Sequence, residues 1–324
     1  MIQPQALLFK LILLVDKLPQ PKTEPAKGRP LVYPETLFLK AIVIMTLRHL
    51  YKVGELLAVL HEPDMEPLKA LLTDSRGAFP SRRTWERRLA RLPASLPARI
   101  GLVGRTLVEM LKPWAKCGRA VAFDSTVLHA SGGVWHKKHR DEGVVPHSRI
   151  DTEAHWTKSG WHGWVYGWKL HLAVTVAPVW IPLAAHLGPA NEADNLVAEP
   201  LIEQVPAQTR FVLGDRHYNR PNVKQACRWR NLFLVTTQYG AYPHTDDGAQ
   251  VRRVFHKLRS VANENFNEQF KAIFNGHERV PTKGLVSTQR YALGAVLVYQ
   301  LVLWHRYEQG LSLRKGLKAY IKAA

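Results

Sequence analysis

Two short apolar runs, each stopped by an aspartate, set the narrowest limit on how this chain can fold. Ala120-Val121-Ala122-Phe123 ends at Asp124, and Phe211-Val212-Leu213-Gly214 ends at Asp215. Short, uniformly apolar runs of this kind read as buried strands of a layered fold. Each aspartate then lies at the end of a strand, and the two can stand side by side at one sheet edge. A strand-end aspartate by itself commonly caps the next turn. A pair of them, together with Glu264 on a helix-like stretch that carries Lys271 two turns later, is more specific. Two divalent ions about 4 Å apart, as phosphoryl transfer uses them, need hard oxygen ligands converging from separate elements. Ser125, Thr126 and the run Arg216-His217-Tyr218-Asn219 add polar and basic groups beside the two aspartates.

From Gly118 onward strands and helices alternate. Residues 169–176 and 181–186 read as two further strands, residues 195–205 as a helix, and residues 232–235 as a strand that follows a helix over 221–230. Residues 254–274 and 291–307 are expected to be helical. This order implies an α/β architecture with helices packed on a mixed sheet. Between the first two strands, residues 129–167 carry Trp135, Trp156, Trp161 and Trp164 with His136, His139, His147, His155 and His162, and read as an inserted loop or a small β excursion. His136 and His139 lack the close pairing that zinc sites use, so no zinc is expected there. The tryptophans are expected to fill a small core. Lys169 and His171 alternate with Trp168 and Leu170 on one strand, so they share a face that could point at the aspartates. Glu192, Asp194 and Glu199 are expected to cap or decorate a helix.

The first 117 residues read as helical. Ser81 is the expected N-cap of a helix whose exposed side carries Arg82, Arg83, Arg87, Arg88 and Arg91, with Trp85, Leu89 and Leu92 on its apolar side. A basic helix after a short turn resembles the second helix of a helix-turn-helix unit, which can lie in a DNA groove. The expected domains are therefore 1–117, helical and DNA-binding, and 118–310, carrying the carboxylates with the insertion at 129–167. A basic tail follows over 311–324.

Charge names the partner. Lys and Arg number 45 against 26 Asp and Glu, a net charge of +19, and a polyanion is the simplest reason for such an excess. Two cysteines, Cys117 and Cys227, are too few for a disulfide framework and fit a reducing compartment. The apolar run over 6–15 contains Lys10, stops at Asp16 and has no basic leader, so a secretion signal is not expected. Residues 291–304 fall short of the roughly 20 residues needed to span a bilayer, so a buried core helix is expected. These features together predict a soluble protein of the cell interior.

The chain resembles insertion-sequence transposases of the DDE type. The likeness rests on Ala122-Phe123-Asp124-Ser125-Thr126, on Gly167-Trp168-Lys169-Leu170-His171, on Leu213-Gly214-Asp215-Arg216-His217-Tyr218, on residues 264–271 and on Pro281-Thr282-Lys283-Gly284-Leu285. It spans essentially residues 118–305. The resemblance implies an RNase H-like catalytic domain preceded by the helical one. It also implies Asp124, Asp215 and Glu264 as a triad holding two Mg²⁺ (or Mn²⁺) ions. Glu264 and Glu268 lie four residues apart on one helix face, and periodicity alone does not separate them. The family's Tyr-Arg-Glu-Lys signature has its Lys seven residues after its Glu, which matches Glu264 with Lys271. Its Arg position holds Ser260 here, with Arg259 one place earlier as a candidate phosphate contact, and its Tyr position holds Lys257.

The function implied is DNA transposition at the nucleoid of a prokaryotic cell. The protein would bind double-stranded element ends and target DNA, assembled as a homodimer on those ends, with no membrane involved. Arg82, Arg83, Arg87, Arg88, Lys169, Arg216, Arg259 and Lys271 are the expected DNA contacts. A nuclease of the same fold without strand transfer, and a DNA-binding protein without catalysis, are the alternatives.

Overall fold

The computed structural model describes residues 4–21, 32–115, 117–160, 163–236, 246–276 and 278–322. Trp161 and His162 of the insertion lie outside them. The chain divides into two compact units. One combines Met1–Arg99 with Val286–Ala324, and the other is Ile100–Leu285.

The first unit is helical among the described residues. It holds α1 (Pro4–Leu14), α2 (Glu35–Leu47), α3 (Val53–Leu60), α4 (Glu66–Ala70), α5 (Arg82–Arg91) and the start of α6 (Leu96–Ala115). The apolar run near the N-terminus forms α1, with Leu7, Leu8, Leu11 and Ile12 all buried. Ser81 caps α5 as expected, its hydroxyl accepting from the Thr84 N–H at 3.3 Å. Trp85 turns inward, edge-on to Phe38 with ring centroids 5.0 Å apart. Residues 71–81 separate α5 from α4 and include a turn in which the Gly77 N–H donates to the Asp74 carbonyl at 3.0 Å.

A charged contact ties the entry of α2 to the chain beyond α5. Glu35, in the first turn of α2, accepts from the Ser95 hydroxyl at 2.6 Å and from Arg99 Nε at 2.9 Å. Arg99 is almost fully buried, so its charge must be compensated in place. Burial would push the Glu35 carboxyl up, yet Ser95 and Arg99 outweigh it and hold the pKa below the ordinary value.

The second unit is built on a six-stranded mixed sheet. In chain order come β1 (Ala120–His129), α7 (Lys137–Asp141), β2 (His155–Ser159), β3 (Gly163–Thr175), β4 (Pro182–Pro189), α8 (Asp194–Gln204), β5 (Phe211–Gly214), α9 (Pro221–Trp229), β6 (Phe233–Thr236) and α10 (Asp246–Phe274). The strand order is β2-β3-β1-β5-β6, with β4 also on β3. β1 is antiparallel to β3 and parallel to β5, and β5 is parallel to β6. Strands of 4 residues whose cores are buried, such as β5, are what short apolar runs form when helices cover both faces. The expected α/β sheet flanked by helices is therefore present.

The insertion folds as α7 and the hairpin β2–β3, so β3 begins earlier than residue 169. Of its tryptophans, Trp135 and Trp156 are half-buried and touch one another, so the expected small core is present only in part. Trp156 donates to the Trp135 carbonyl at 2.9 Å, and its ring lies 5.3 Å from that of Tyr166. Trp164 is the exception, exposed at the start of β3.

Two helices close the chain, α11 (Leu285–Glu308) and α12 (Leu317–Lys322). α11 is buried on nearly every side and belongs to the first unit rather than to the sheet. It approaches α2 so closely that a Cβ on Gly294 would lie 2.7 Å from Ile42. The compact units divide at 99/100 and 285/286, whereas the sequence suggested 117/118 and 310/311. No helix among the described residues is long and apolar enough to cross a membrane.

Glu35→Gln is expected to lower stability at neutral pH by about 1 kcal/mol, the scale of a charged hydrogen bond discounted for partial exposure to solvent. Because the folded-state pKa is depressed, the wild-type contribution is complete above the ordinary carboxylate pKa and fades as pH falls through the lower folded value. Urea unfolding of wild type and Glu35→Gln should therefore converge on acidification. Equal stability of the two at neutral pH would show that this contact does not hold α2.

Candidate active site

The parallel pairing of β1 with β5 builds the site. Its register matches Ala120 with Phe211, Val121 with Val212 and Ala122 with Leu213. Continued two positions, it sets Asp124 opposite Asp215. Side chains two apart along a strand share a face. Ala122 and Leu213 pack in one cluster with Ala262 and Phe255 of α10, so both aspartates point to the α10 face.

α10 answers with a ridge spaced every four residues: Arg259, Asn263, Asn267 and Lys271. Asn263 donates to the Phe123 carbonyl at 3.4 Å, and Asn267 Nδ2 lies 3.5 Å from Asp124 Oδ2. The charge of Arg259 acts on Asp124, and its buried Nε has no hydrogen-bond partner among the described residues. Lys271 is half-buried; desolvation lowers its pKa, while Glu268 and Asp124 pull it back up. Asp124 itself is raised to about 7, chiefly by burial and further by the charges of Asp215 and Asp194, against the pull of Arg259. Asp215 uses one oxygen as a turn cap, accepting from the His217 N–H at 2.8 Å. Its second carboxylate oxygen is not needed for that cap.

Glu264 and Glu268 occupy the next ridge, one residue on from Asn263 and Asn267, rotated by about 100°. Both are exposed. Among the described residues no three His, Cys, Asp or Glu side chains stand together as a metal-holding group. The donors nevertheless suit a hard divalent cation. Asp124 and Asp215 offer carboxylate oxygens at one strand edge, and the elevated pKa of Asp124 marks a place where added positive charge is favourable.

Lys169 and His171 are brought elsewhere. Antiparallel register sets His171 beside Ser125 and Lys169 beside Val127, on the face of β1 opposite to Asp124. There α8 covers the sheet. His171 Nδ1 lies 3.2 Å from Asp194 Oδ1, Lys169 Nζ lies 3.7 Å from the same oxygen, and Lys169 donates to the Glu192 carbonyl at 2.8 Å. Burial pushes Asp194 up, yet His171, Lys169 and Ser125 together take it down to about 2. His171 is fully buried and lowered by desolvation. His186, opposite it on β4, pairs with Glu192 at 2.9 Å. Lys169 is therefore a buried partner of the α8 entry rather than an exposed cation.

Asp194 was not among the residues the sequence singled out for the site. The signal was available: a buried Lys and His on one strand face require an acid nearby. Tyr218 joins the two faces. Its ring lies edge-on to Phe123 at 5.9 Å. Its buried hydroxyl has no hydrogen-bond partner among the described residues. Burial, then the charges of Asp194, Asp124 and Asp215, put its pKa well above the ordinary one. Gly214 makes this packing possible, since a Cβ there would lie 2.8 Å from Tyr218 Cβ.

The remaining basic candidates differ in availability. Arg83 and Arg87 on α5 and Arg216 after β5 are exposed. Arg82 pairs with Glu86 at 2.9 Å. Arg88 lies over the Phe38 ring at 4.8 Å and is half-buried. Both cysteines are buried free thiols raised to about 11, which keeps them protonated and unreactive.

A family model described as "Transposase DDE domain" matches residues 115–301. No curated protein matches the chain.

Asp194→Ala is expected to cost about 3 kcal/mol, because it leaves a buried lysine and histidine without their counter-charge. Chemical denaturation would measure the effect. Wild-type stability in this variant would mean that Lys169 and His171 are compensated elsewhere. Gly214→Val should destabilise by about 1–3 kcal/mol through overpacking against Tyr218, measured in the same way.

Proposed function

This chain belongs to the transposase DDE-domain family, and from that premise we propose that it cuts and rejoins DNA at the ends of an insertion sequence. The reading is supported above all by the β1–β5 register, which brings Asp124 and Asp215 to one edge under the polar ridge of α10. The strand order and pairing of the sheet support an RNase H-like catalytic unit. Asp124, Asp215 and Glu264 are the proposed ligands of two Mg²⁺ (or Mn²⁺) ions. When bound, such ions supply the Lewis acidity that activates the attacking oxygen and neutralises the leaving one.

The side chains of the chain do the rest. Asn267 holds the Asp124 carboxylate in orientation. Arg259 and Lys271 flank that carboxylate on the α10 ridge and would fix the scissile phosphate in line, where positioning and charge neutralisation account for most of the rate. Water attacks the phosphorus at the element end, the P–O3′ bond breaks, and the 3′-hydroxyl is released. That hydroxyl then attacks a target phosphodiester and forms the new bond as the target's own 3′-oxygen leaves. Arg83, Arg87 and Arg216 are proposed phosphate contacts. End recognition belongs to the helical unit, and a homodimer assembled on paired ends is the proposed working form at the prokaryotic nucleoid.

Incubating the protein with a duplex carrying the element's own ends and Mg²⁺ tests this directly. Asp124→Asn, Asp215→Asn and Glu264→Gln should each reduce cleavage by about 10³-fold or more, and Arg259→Ala or Lys271→Ala by about 10²-fold. Mn²⁺ should raise the melting temperature of wild type more than that of Asp124→Asn, since a ligand of the native state alone stabilises it. Joined donor–target product distinguishes a transposase from a nuclease. If Glu268→Gln abolishes cleavage and Glu264→Gln does not, Glu268 is the third ligand. A wild type that binds the ends without cutting them overturns the catalytic reading.

A further inference from the structure

Beyond Arg216, one stretch of the second unit carries charge that the site does not use. From Arg216 to Thr236 there is no acidic residue, while Arg216, Arg220, Lys224 and Arg228 recur every four positions, all exposed. Val223, Ala226 and Cys227 form the buried side of α9, so its remaining surface faces outward. Arg220, Lys224 and Arg228 form no ion pair among the described residues, unlike Arg82 on α5 or Arg99 in the helical unit. Arg230, the next cation, is occupied differently: its guanidinium donates to the carbonyls of Ile202, Glu203 and Val205 at the end of α8. At the far end stand two large exposed side chains, Trp229 at 69% and Phe233 at 66%. Phe233 opens β6, the last strand on that side of the sheet.

We propose that this face of α9 is a DNA-backbone track that leads away from Asp215 and holds duplex DNA without regard to sequence. The inference rests on the reading of the site as one that cuts DNA, and it assigns a surface that the cutting chemistry does not need. Geometry matches the occupant. Eight helical steps, from Arg220 to Arg228, advance about 12 Å. Over that length one strand of a duplex presents about three to four phosphates at an axial spacing of about 3.4 Å. Three cations without ion pairs, on an acid-free face, meet that spacing with complementary charge. Phosphate contacts position a duplex and carry no base information, so this face serves DNA flanking the scissile bond or the target. The exposed Trp229 ring gives the track an apolar stop against sugar or base.

The test compares three proteins on a random-sequence duplex over a range of salt: wild type, Arg220→Gln/Lys224→Gln/Arg228→Gln, and Lys315→Gln/Lys318→Gln/Lys322→Gln. The last removes the same charge from exposed lysines elsewhere. The α9 variant should bind about tenfold or more weaker. Its slope of log K against log salt should be shallower by about 2 to 3, near 0.9 for each phosphate that is no longer neutralised. The control variant should stay close to wild type. A wild-type slope in the α9 variant, or an equal change in the control, overturns the track. If wild type binds no duplex and cuts none, it is the site reading that has failed. Because all six positions are exposed, circular dichroism melts of the three proteins should coincide. A lowered melt for the α9 variant would be answered by repeating the titration with Lys224→Gln alone, for which a slope shallower by about 0.9 supports the track and a wild-type slope overturns it.

Discussion

The parallel pairing of β1 with β5 is the contact on which the second unit turns. Parallel neighbours require a long crossover between them, and here β3, β4 and α8 all lie in that connection. Once Ala122 is fixed against Leu213, the two aspartates have no choice of face. They stand as like charges at the edge of a low-dielectric core, and burial with mutual repulsion lifts Asp124 to about 7. A fold selected for stability alone gains nothing from that arrangement. It becomes favourable only when positive charge is brought to the edge, as Arg259 and Lys271 bring it in part and the proposed divalent cation would in full.

α10 supplies that charge by rotation about its own axis. Its apolar residues, Ala262, Phe266 and Phe270, lock the helix against the sheet, and this choice determines which polar ridge faces Asp124. The ridge beginning at Arg259 wins, and the glutamates fall on the neighbouring one. The same shift of one residue separates Arg259 from the position that the family signature reserves for arginine. Two polar ridges so close around one helix make the third carboxylate the part of the site that depends most on how the helix is turned.

What was legible in the sequence follows from this. The two aspartates could be read because short apolar runs encode strands, and a strand's face alternates with a period of two. α8, β5, α9 and β6 fall within a few residues of expectation for the same reason, whereas β1, β3 and α10 each run well beyond it at one end. Lys169 and His171 show where such reading stops: alternation assigns them a common face but does not say which helix covers it. Asp194 was hidden because an acid in the first turn of a helix already has an ordinary explanation in the helix dipole. The place of α11 was hidden by its own uniformity, since a helix that is apolar on all sides gives no direction of burial.

β1 therefore works as a partition. Residues of one parity, Ala122 and Asp124, look toward α10; those of the other, Phe123 and Ser125, look toward α8. On the first side the carboxylates remain half-buried at an edge that solvent and substrate can reach. On the second, Asp194 is held near pKa 2 by His171, Lys169 and Ser125 against the opposing effect of burial, and that cluster is compensated within itself. The second side stiffens the strand that carries the first. Asp124 sits in an unfavourable ionisation environment, while its neighbour Ser125 helps to hold the Asp194 carboxylate charged on the other face, and Tyr218 packs against Phe123 between them. Local instability at the reacting edge and local stability behind it are consequences of one pleated strand with two unlike helices on its two faces.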